Sequence, residues 1–170
     1  MNVFWVPGPW PGRLGIVPRP RAGARLTDEA IAWRDAGIDV VVSLLEPAEV
    51  SMLGLEGEAA AATAHSVVFR ACPIPDGGIP PVQDAVADLI AELIDTLHGG
   101  NHVAVHCRQS IGRSGMVVCA VLVAAGVDLV AALRVVAEAR GVEVPETEEQ
   151  RQWLRDYAAW LAAPPASTEA

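Results

Sequence analysis

One short segment, HCRQSIGRSG from His106 to Gly115, restricts the folds open to this chain more than any other stretch. An apolar run, Val103 to Val105, enters it, and a longer helix-compatible run, Ser114 to Ala125, leaves it. A short apolar run, a polar loop and a long apolar run predict a buried strand, a tight turn and a helix N-terminus. The free backbone N–H groups of such a loop converge on one point, and the helix dipole adds partial positive charge there, which makes an anion cradle. Cys107 stands at the base of the cradle, and Arg113, followed directly by Ser114, stands at its far end. A free thiol ionises near pH ~8.5, but in such a setting the value falls to ~4–7. The guanidinium is a planar fork that grips two oxygens of a phosphate. The expected phosphate-binding set is Arg108, Gln109, Ser110, Ile111, Gly112 and Arg113, with phosphorus held above the Cys107 sulfur. The chemistry this predicts is cysteine-based hydrolysis of a phosphate ester.

H-C-x5-R-S, as it stands from His106 to Ser114, resembles the signature of the protein tyrosine phosphatase superfamily. Two further segments resemble its compact dual-specificity branch, which includes the cyclin-dependent-kinase-associated phosphatase type and small bacterial relatives. PIPDGGIP, Pro73 to Pro80, is similar to the branch's mobile general-acid loop, and ETEEQ, Glu146 to Gln150, to the segment presenting a water-positioning glutamine. The resemblance implies a three-layer α/β fold with a mostly parallel central sheet of about five strands flanked by helices. It also implies a phosphocysteine intermediate, with Cys107 as nucleophile, Asp76 as general acid, Arg113 on the phosphate, Ser114 hydrogen-bonded to the sulfur and Gln150 holding the hydrolytic water. No metal or organic cofactor is implied. Two positions depart from the family pattern: Ser110 stands where glycine is usual, and Glu146 where the first glutamine of Q-T-x-x-Q is usual. Glycine serves where the backbone approaches a ligand or takes positive φ, so Ser110 predicts a slightly strained loop.

Each residue also has a plainer reading. Pro-Asp-Gly-Gly is ordinary turn chemistry; a general acid, however, must ride on a loop that can close, and Gly77 and Gly78 supply that freedom. Gln150, three residues after Thr147, fits a capping box at a helix start. His106 reads as a structural hydrogen-bonder near the site rather than a base. Cys72 and Cys119 read as packing residues, with a protective disulfide between Cys72 and Cys107 as the alternative for the former. His98, His102 and His106 recur every four residues, but Gly99 and Gly100 break the helix that a shared metal-binding face would need. No metal site is expected.

Composition frames the rest. A length of 170 residues suits a single domain over 1–170, with an entry β-ribbon at 1–26 and a frayed tail at 163–170. Net charge −9 argues against nucleic acid and anionic membranes as partners. The expected partner is a phosphorylated protein substrate, and the chain is expected to be a monomer. Phosphoinositide or small-molecule turnover, with Arg108 on a polyanionic headgroup, and a non-catalytic phosphate binder are the alternatives. All twelve basic residues are arginine, which hints at a GC-rich, bacterial coding genome. The N-terminus has no basic region and is interrupted by Pro7 and Pro9, three cysteines form no disulfide framework, and a catalytic thiol wants a reducing compartment, so the cytoplasm is expected. Arg13, Arg19, Arg21 and Arg25 crowd an acid-free first stretch and, with Trp5 and Trp10, are candidates for one side of the cleft. Strands are expected at 3–6, 14–17, 39–45, 67–72 and 103–106. Helices are expected from Thr27, as N-cap, to Ala36, and at 55–64, 82–97, 113–125, 128–139 and 147–162.

Overall fold

A computed structural model describes residues 2–81 and 83–163. Among the described residues, five strands form one sheet: β1 (Phe4–Val6), β2 (Arg13–Ile16), β3 (Val40–Ser43), β4 (Val68–Ala71) and β5 (His102–His106). Seven helices are seen among the described residues: α1 (Arg25–Asp35), α2 (Pro47–Leu53), α3 (Glu58–Ala64), α4 (Gln83–His98), α5 (Gly112–Ala124), α6 (Leu129–Arg140) and α7 (Glu148–Ala162). The sheet order is β1-β2-β5-β3-β4, with only the β1–β2 pair antiparallel. The expected mostly parallel α/β fold is the observed one.

Alternation along the strands divides the core into two layers. Val40, Val42, Val103, Val105, Leu14 and Ile16 face the larger layer, built with α4, α5, α6 and α7. Val41, Ala104 and Val17 face the other, where Ala30 and Trp33 of α1 and Ala62 of α3 cover them. Both faces are therefore apolar, which is why these strands read as continuous Val-rich runs. Helix α5 is buried along Gly112–Leu122, so its lack of a polar face follows from its place under the sheet. Each fully buried Val or Leu side chain contributes ~1.5–3 kcal/mol of transfer free energy.

Topology sets the position of the site. Strand β5 sits between β2 and β3, so the connection through α1 and the one through α4 each skip a strand, on opposite faces of the sheet. Parallel strands β2, β5, β3 and β4 then deliver their carboxyl ends to one edge, the place where open α/β sheets bind ligands.

Two local expectations are corrected. Thr27 does not cap α1: the helix starts at Arg25 after Ala24, and Leu26 donates its amide to Gly23 at 3.0 Å while burying its side chain with Leu45 and Leu55. The helix expected at 55–64 begins only at Glu58. A separate helix, α2, precedes it, opened by a capping box between Glu46 and Glu49 with Pro47 at its first position, and closed by Gly54 at φ 65°. Residues 164–170 and Val82, the expected tail and first helical residue of α4, lie outside the described residues.

Candidate active site

The loop from Cys107 to Ile111 joins β5 to α5, as the flanking apolar runs require. Cys107 is 3% exposed, and its sulfur accepts the Ser110 amide at 3.2 Å. No side chain among the described residues caps α5, leaving its first-turn amides free of a side-chain partner. Ser110 takes φ 56°, the left-handed conformation anticipated from its departure from glycine. Three contacts hold it there: its Oγ donates to the Val17 carbonyl at 2.7 Å, its amide reaches the sulfur, and its carbonyl accepts Arg140 Nε at 2.7 Å. Arg140 also stacks over Phe4 and reaches the Gln109 carbonyl at 3.3 Å, so α6 braces the loop from outside.

Arg113 is 1% exposed and fully committed. Its Nη1 donates to Glu49 Oε2 at 2.6 Å and to the Ile74 carbonyl at 2.9 Å; its Nη2 donates to Glu49 Oε1 at 2.9 Å and to Asp76 Oδ1 at 2.8 Å. Burial works against the charged form of Arg113, but the Glu49 hydrogen bond and the charges of Cys107, Glu49 and Asp76 outweigh it and raise the pKa. In return, the guanidinium's hydrogen bond, opposed by burial, holds the Glu49 carboxyl below the usual range. The fork is thus aimed before any phosphate arrives.

The acid loop crosses this fork. Asp76, whose side chain is 56% exposed, sits between Arg113 and Arg108, the latter at 3.9 Å. Helix α7 holds the loop from the other side: Thr147 Oγ donates to the Gly77 carbonyl at 3.1 Å, and Gln150 Nε2 to the Gly78 carbonyl at 3.0 Å. Gln150 also completes the capping box with Thr147 and accepts the Glu146 amide at 3.2 Å. A cavity of about 280 Å³ opens over the sulfur, lined by Asp76, Gly77, Cys107, Gln109, Gly112, Arg113, Glu146 and Thr147.

The structure therefore brings Cys107, Arg113, Asp76, Arg108 and the loop residues Gln109, Ser110, Ile111 and Gly112 together, and sets Gln150 beneath the acid loop rather than in the cavity lining. Ser114 departs from expectation. It is fully buried, but its hydroxyl makes no hydrogen bond among the described residues; the sulfur's donor is the Ser110 amide. Trp5 and Trp10 do not line the cavity either. Trp5 carries Arg13 on its ring at the opposite end of β2, and Trp10 is packed in the core. Of the early arginines, Arg21 pairs with Glu29 on α1.

A disulfide between Cys72 and Cys107 is not compatible with the sheet. Ser43 of β3 is registered with both Ala71 and His106, so Cys72 and Cys107 lie two strands apart, about 9–10 Å, against a Cα limit of ~7 Å. Burial raises the pKa of Cys72 and pushes that of Cys119 up to about 12, which suits packing roles for both. No group of three metal-ligating side chains occurs among the described residues, and no described helix is long and apolar enough to cross a membrane.

Residues 16–127 match the family described as "Polymorphic toxin system, DSP-PTPase phosphatase". This chain belongs to that family. It is a compact, dual-specificity-like phosphatase of the protein tyrosine phosphatase superfamily. Its fold is similar to kinase-associated phosphatase (KAP) carrying serine for the catalytic-site cysteine, with a TM-score of 0.85 at 18% identity, over 96% of this chain and 97% of that one. It is similar to the active form of Tk-PTP at 28% identity and a TM-score of 0.71, over 87% and 92% of the two chains. PTPMT1 in complex with PI(5)P aligns at a TM-score of 0.70 and 17% identity, over 88% and 91%. No curated protein matches the chain.

Two carboxylates of this phosphatase site escape sequence reasoning. Glu49 holds Arg113, and Glu58, the first residue of α3, meets His106 Nε2 at 2.6 Å with both side chains buried. The signal for Glu49 was the Glu-Pro-x-Glu helix start, which locates a cap but not the arginine that the cap residue would meet.

Proposed function

We propose that the phosphatase hydrolyses phosphate esters through a phosphocysteine, without a metal, and acts on phosphotyrosine in proteins, with phosphoserine and phosphothreonine as weaker substrates. The observation that carries this reading is the convergence of Cys107, the Ser110 amide, Arg113 and Asp76 on one small cavity, with Asp76 2.8 Å from the arginine fork.

An entering phosphate takes the place of the Asp76 carboxylate at Arg113 Nη2. The Cys107 thiolate attacks phosphorus; the S–P bond forms while the P–O bond to the leaving group breaks. Asp76, released from Arg113, takes up a proton from solvent and gives it to the leaving oxygen. In the second step a water attacks phosphorus, Asp76 takes its proton, and the P–S bond breaks to return thiolate and phosphate. Gln150 acts on this step by holding the acid loop through Gly78, and it reaches the water only if that loop moves. Arg113 and the loop amides stabilise the equatorial oxygens throughout. Ser114 is the buried hydroxyl available to meet the sulfur as the thiolate leaves.

No aromatic side chain among the described residues lines the cavity to sandwich a tyrosine ring, which favours tolerance among phosphorylated side chains. Arg108 at the mouth supports a second reading, a phosphoinositide headgroup bound there. A comparison of kcat/KM on a phosphotyrosyl peptide, a phosphothreonyl peptide and phosphoinositide vesicles, all with EDTA present, separates the two. The expected order is phosphotyrosyl, then phosphothreonyl, then lipid. A preference of tenfold or more for the lipid overturns the protein-substrate assignment, and activity abolished by EDTA overturns the metal-free one.

A further inference from the structure

Strand β4 ends the sheet, and its outer edge has no partner strand among the described residues. The amides of Val68 and Cys72 donate to the Asp39 and Ser43 carbonyls at 2.8 and 3.0 Å, so this phase of the strand is committed to β3. By alternation, the main-chain groups of Phe69 and Ala71 point outward. Arg70 Nη1 covers the Phe69 carbonyl at 3.2 Å. The Phe69 amide and both main-chain groups of Ala71 are left without a partner among the described residues. An open edge is common and by itself assigns nothing. This one is distinguished by a cavity beside it on each face of the sheet. Phe69 and Ala71 border a cavity of about 380 Å³ under α2 and α3, with Leu45, Val50 and Leu55 in its apolar wall. Arg70 and Cys72 border another, of about 500 Å³, walled by Ala85 and Leu89 of α4. A chain added along β4 turns successive side chains to opposite faces, and so into the two cavities in turn.

Charge selects the side chains. Asp88 stands at the α4-side cavity and Glu56 at the α3-side one, both exposed and neither in an ion pair among the described residues. Glu92, the other carboxylate on the α4 side, is held by Arg70 at 2.7 Å. The α3-side cavity is also bordered by Ser43, whose buried hydroxyl has no partner among the described residues. Apolar walls with a carboxylate at the rim suit lysine or arginine, whose methylene stem lies on the wall while the tip meets the charge. The acid loop links this edge to the catalytic cavity. Pro73 and Pro80 at its stems border the α4-side cavity, and Asp76 and Gly77 at its tip border the cavity over Cys107. We infer that the substrate protein docks a basic, extended segment on β4 as a further strand, with alternate side chains in the two cavities, and presents its phosphorylated residue to Cys107 from the same chain. This rests on the reading of the site as a protein phosphatase. Such a strand lies about 4.8 Å outside β4 and about 15 Å from Cys107, a gap that about four or five extended residues span.

Peptide substrates test this. A short phosphotyrosyl core is compared with the same core carrying a lysine-rich flank that begins about four residues away, on its amino or its carboxyl side. On one of the two sides the flank should raise kcat/KM about tenfold, through KM, which is the worth of one or two net hydrogen bonds. N-methylation of alternate flank amides is the decisive step, because only one of the two phases faces β4. One methylated peptide should lose the gain and the other keep most of it. Unspecific attraction of a basic peptide to an acidic protein would treat both phases alike. Glu56→Gln combined with Asp88→Asn should reduce the gain by about threefold, as expected for two exposed ion pairs. Both residues lie outside the catalytic cavity, so p-nitrophenyl phosphate turnover in that variant should stay within about twofold of wild type. A gain below about threefold, equal losses in the two methylation phases, or an unchanged gain in the double variant each overturn the inference while leaving the phosphatase reading intact. Failure of every phosphotyrosyl peptide to turn over would instead overturn the protein-substrate reading. Docking on β4 is then decided by fluorescence anisotropy of the labelled, unphosphorylated flank: binding lost in one methylation phase alone supports it, and no binding or equal loss in both overturns it.

Discussion

The cysteine loop and the acid loop meet at Arg113, yet they are built in opposite ways. The cysteine loop is buried and over-determined: Cys107, Ser110 and Arg113 are each at most 3% exposed, and Val17 just after β2, Glu49 of α2 and Arg140 of α6 all donate to it or accept from it. The acid loop is more open: Arg113 donates to Ile74 and Asp76, Thr147 and Gln150 donate to Gly77 and Gly78, and Asp76 is more than half exposed. A group that stabilises charge gains from being fixed before the substrate arrives, since no reorganisation is then needed. A group that must first yield its place to a phosphate and then deliver a proton gains from being able to move. The division of labour is therefore visible as a difference in burial between Cys107 and Asp76.

The contrast is tested most severely on the rigid side. Arg113→Lys replaces a fork with a point charge, losing the paired bonds to Glu49 and the ability to span two phosphate oxygens. A loss of about 10²–10³-fold in kcat/KM is expected, in line with removal of one preorganised stabiliser of the transition state. A loss below tenfold would mean that the loop amides suffice and that the buried fork is structural.

On the mobile side, Asp76→Asn keeps the turn but cannot donate a carboxylic proton. About 10²-fold loss in kcat is expected on a phenyl or alkyl phosphate, shrinking on esters whose leaving group is a weak base. Equal losses across leaving groups would reduce Asp76 to a turn residue.

Stability against pH sharpens the role of Glu49. Its carboxyl titrates below the ordinary value in the folded chain, so the Arg113 pair contributes its full stability above the unfolded value of ~4.3. That contribution is lost as pH falls from there through the lower, folded value. Glu49→Gln, which cannot ionise, should unfold more readily than wild type at neutral pH, by up to about 3–5 kcal/mol because a buried guanidinium loses its counter-charge. The gap should close as pH drops through the acid range. A gap independent of pH in chemical denaturation would assign the effect to packing.

Ser110→Gly should have the smallest effect. Glycine relieves a left-handed conformation worth ~1 kcal/mol or more, but removes the hydroxyl bond to Val17, worth ~1 kcal/mol. Near-neutral stability is expected, with kcat changed less than about threefold. A large gain in kcat would show that the strain at Ser110 limits the reaction.

How much of this was legible in the sequence follows from the range of each interaction. The cradle was readable because strand, loop and helix are contiguous, and the Thr147–Gln150 box because capping is a matter of three residues. The strained Ser110 was readable because a single departure from glycine has a local cost. Glu49 and Glu58 were not. Each is separated from its partner by dozens of residues, and a glutamate in a short helix reads as a solvated charge until the fold buries it. The cap at Thr27 misled because local capping chemistry lost to the burial of Leu26 beside Leu45 and Leu55. Ser114 was assigned from a family pattern, and only coordinates reveal that the Ser110 amide is the sulfur's donor here.

The central claim, that Cys107 carries the phosphoryl group between two steps, is tested most directly by rapid quench. Wild-type protein mixed with a phosphotyrosyl peptide and quenched within one turnover should yield a peptide phosphorylated at Cys107 on mass-spectrometric mapping, and Cys107→Ser should yield none and turn over no substrate. Turnover that persists in Cys107→Ser, or a phosphoryl group mapped to any other residue, would contradict the account.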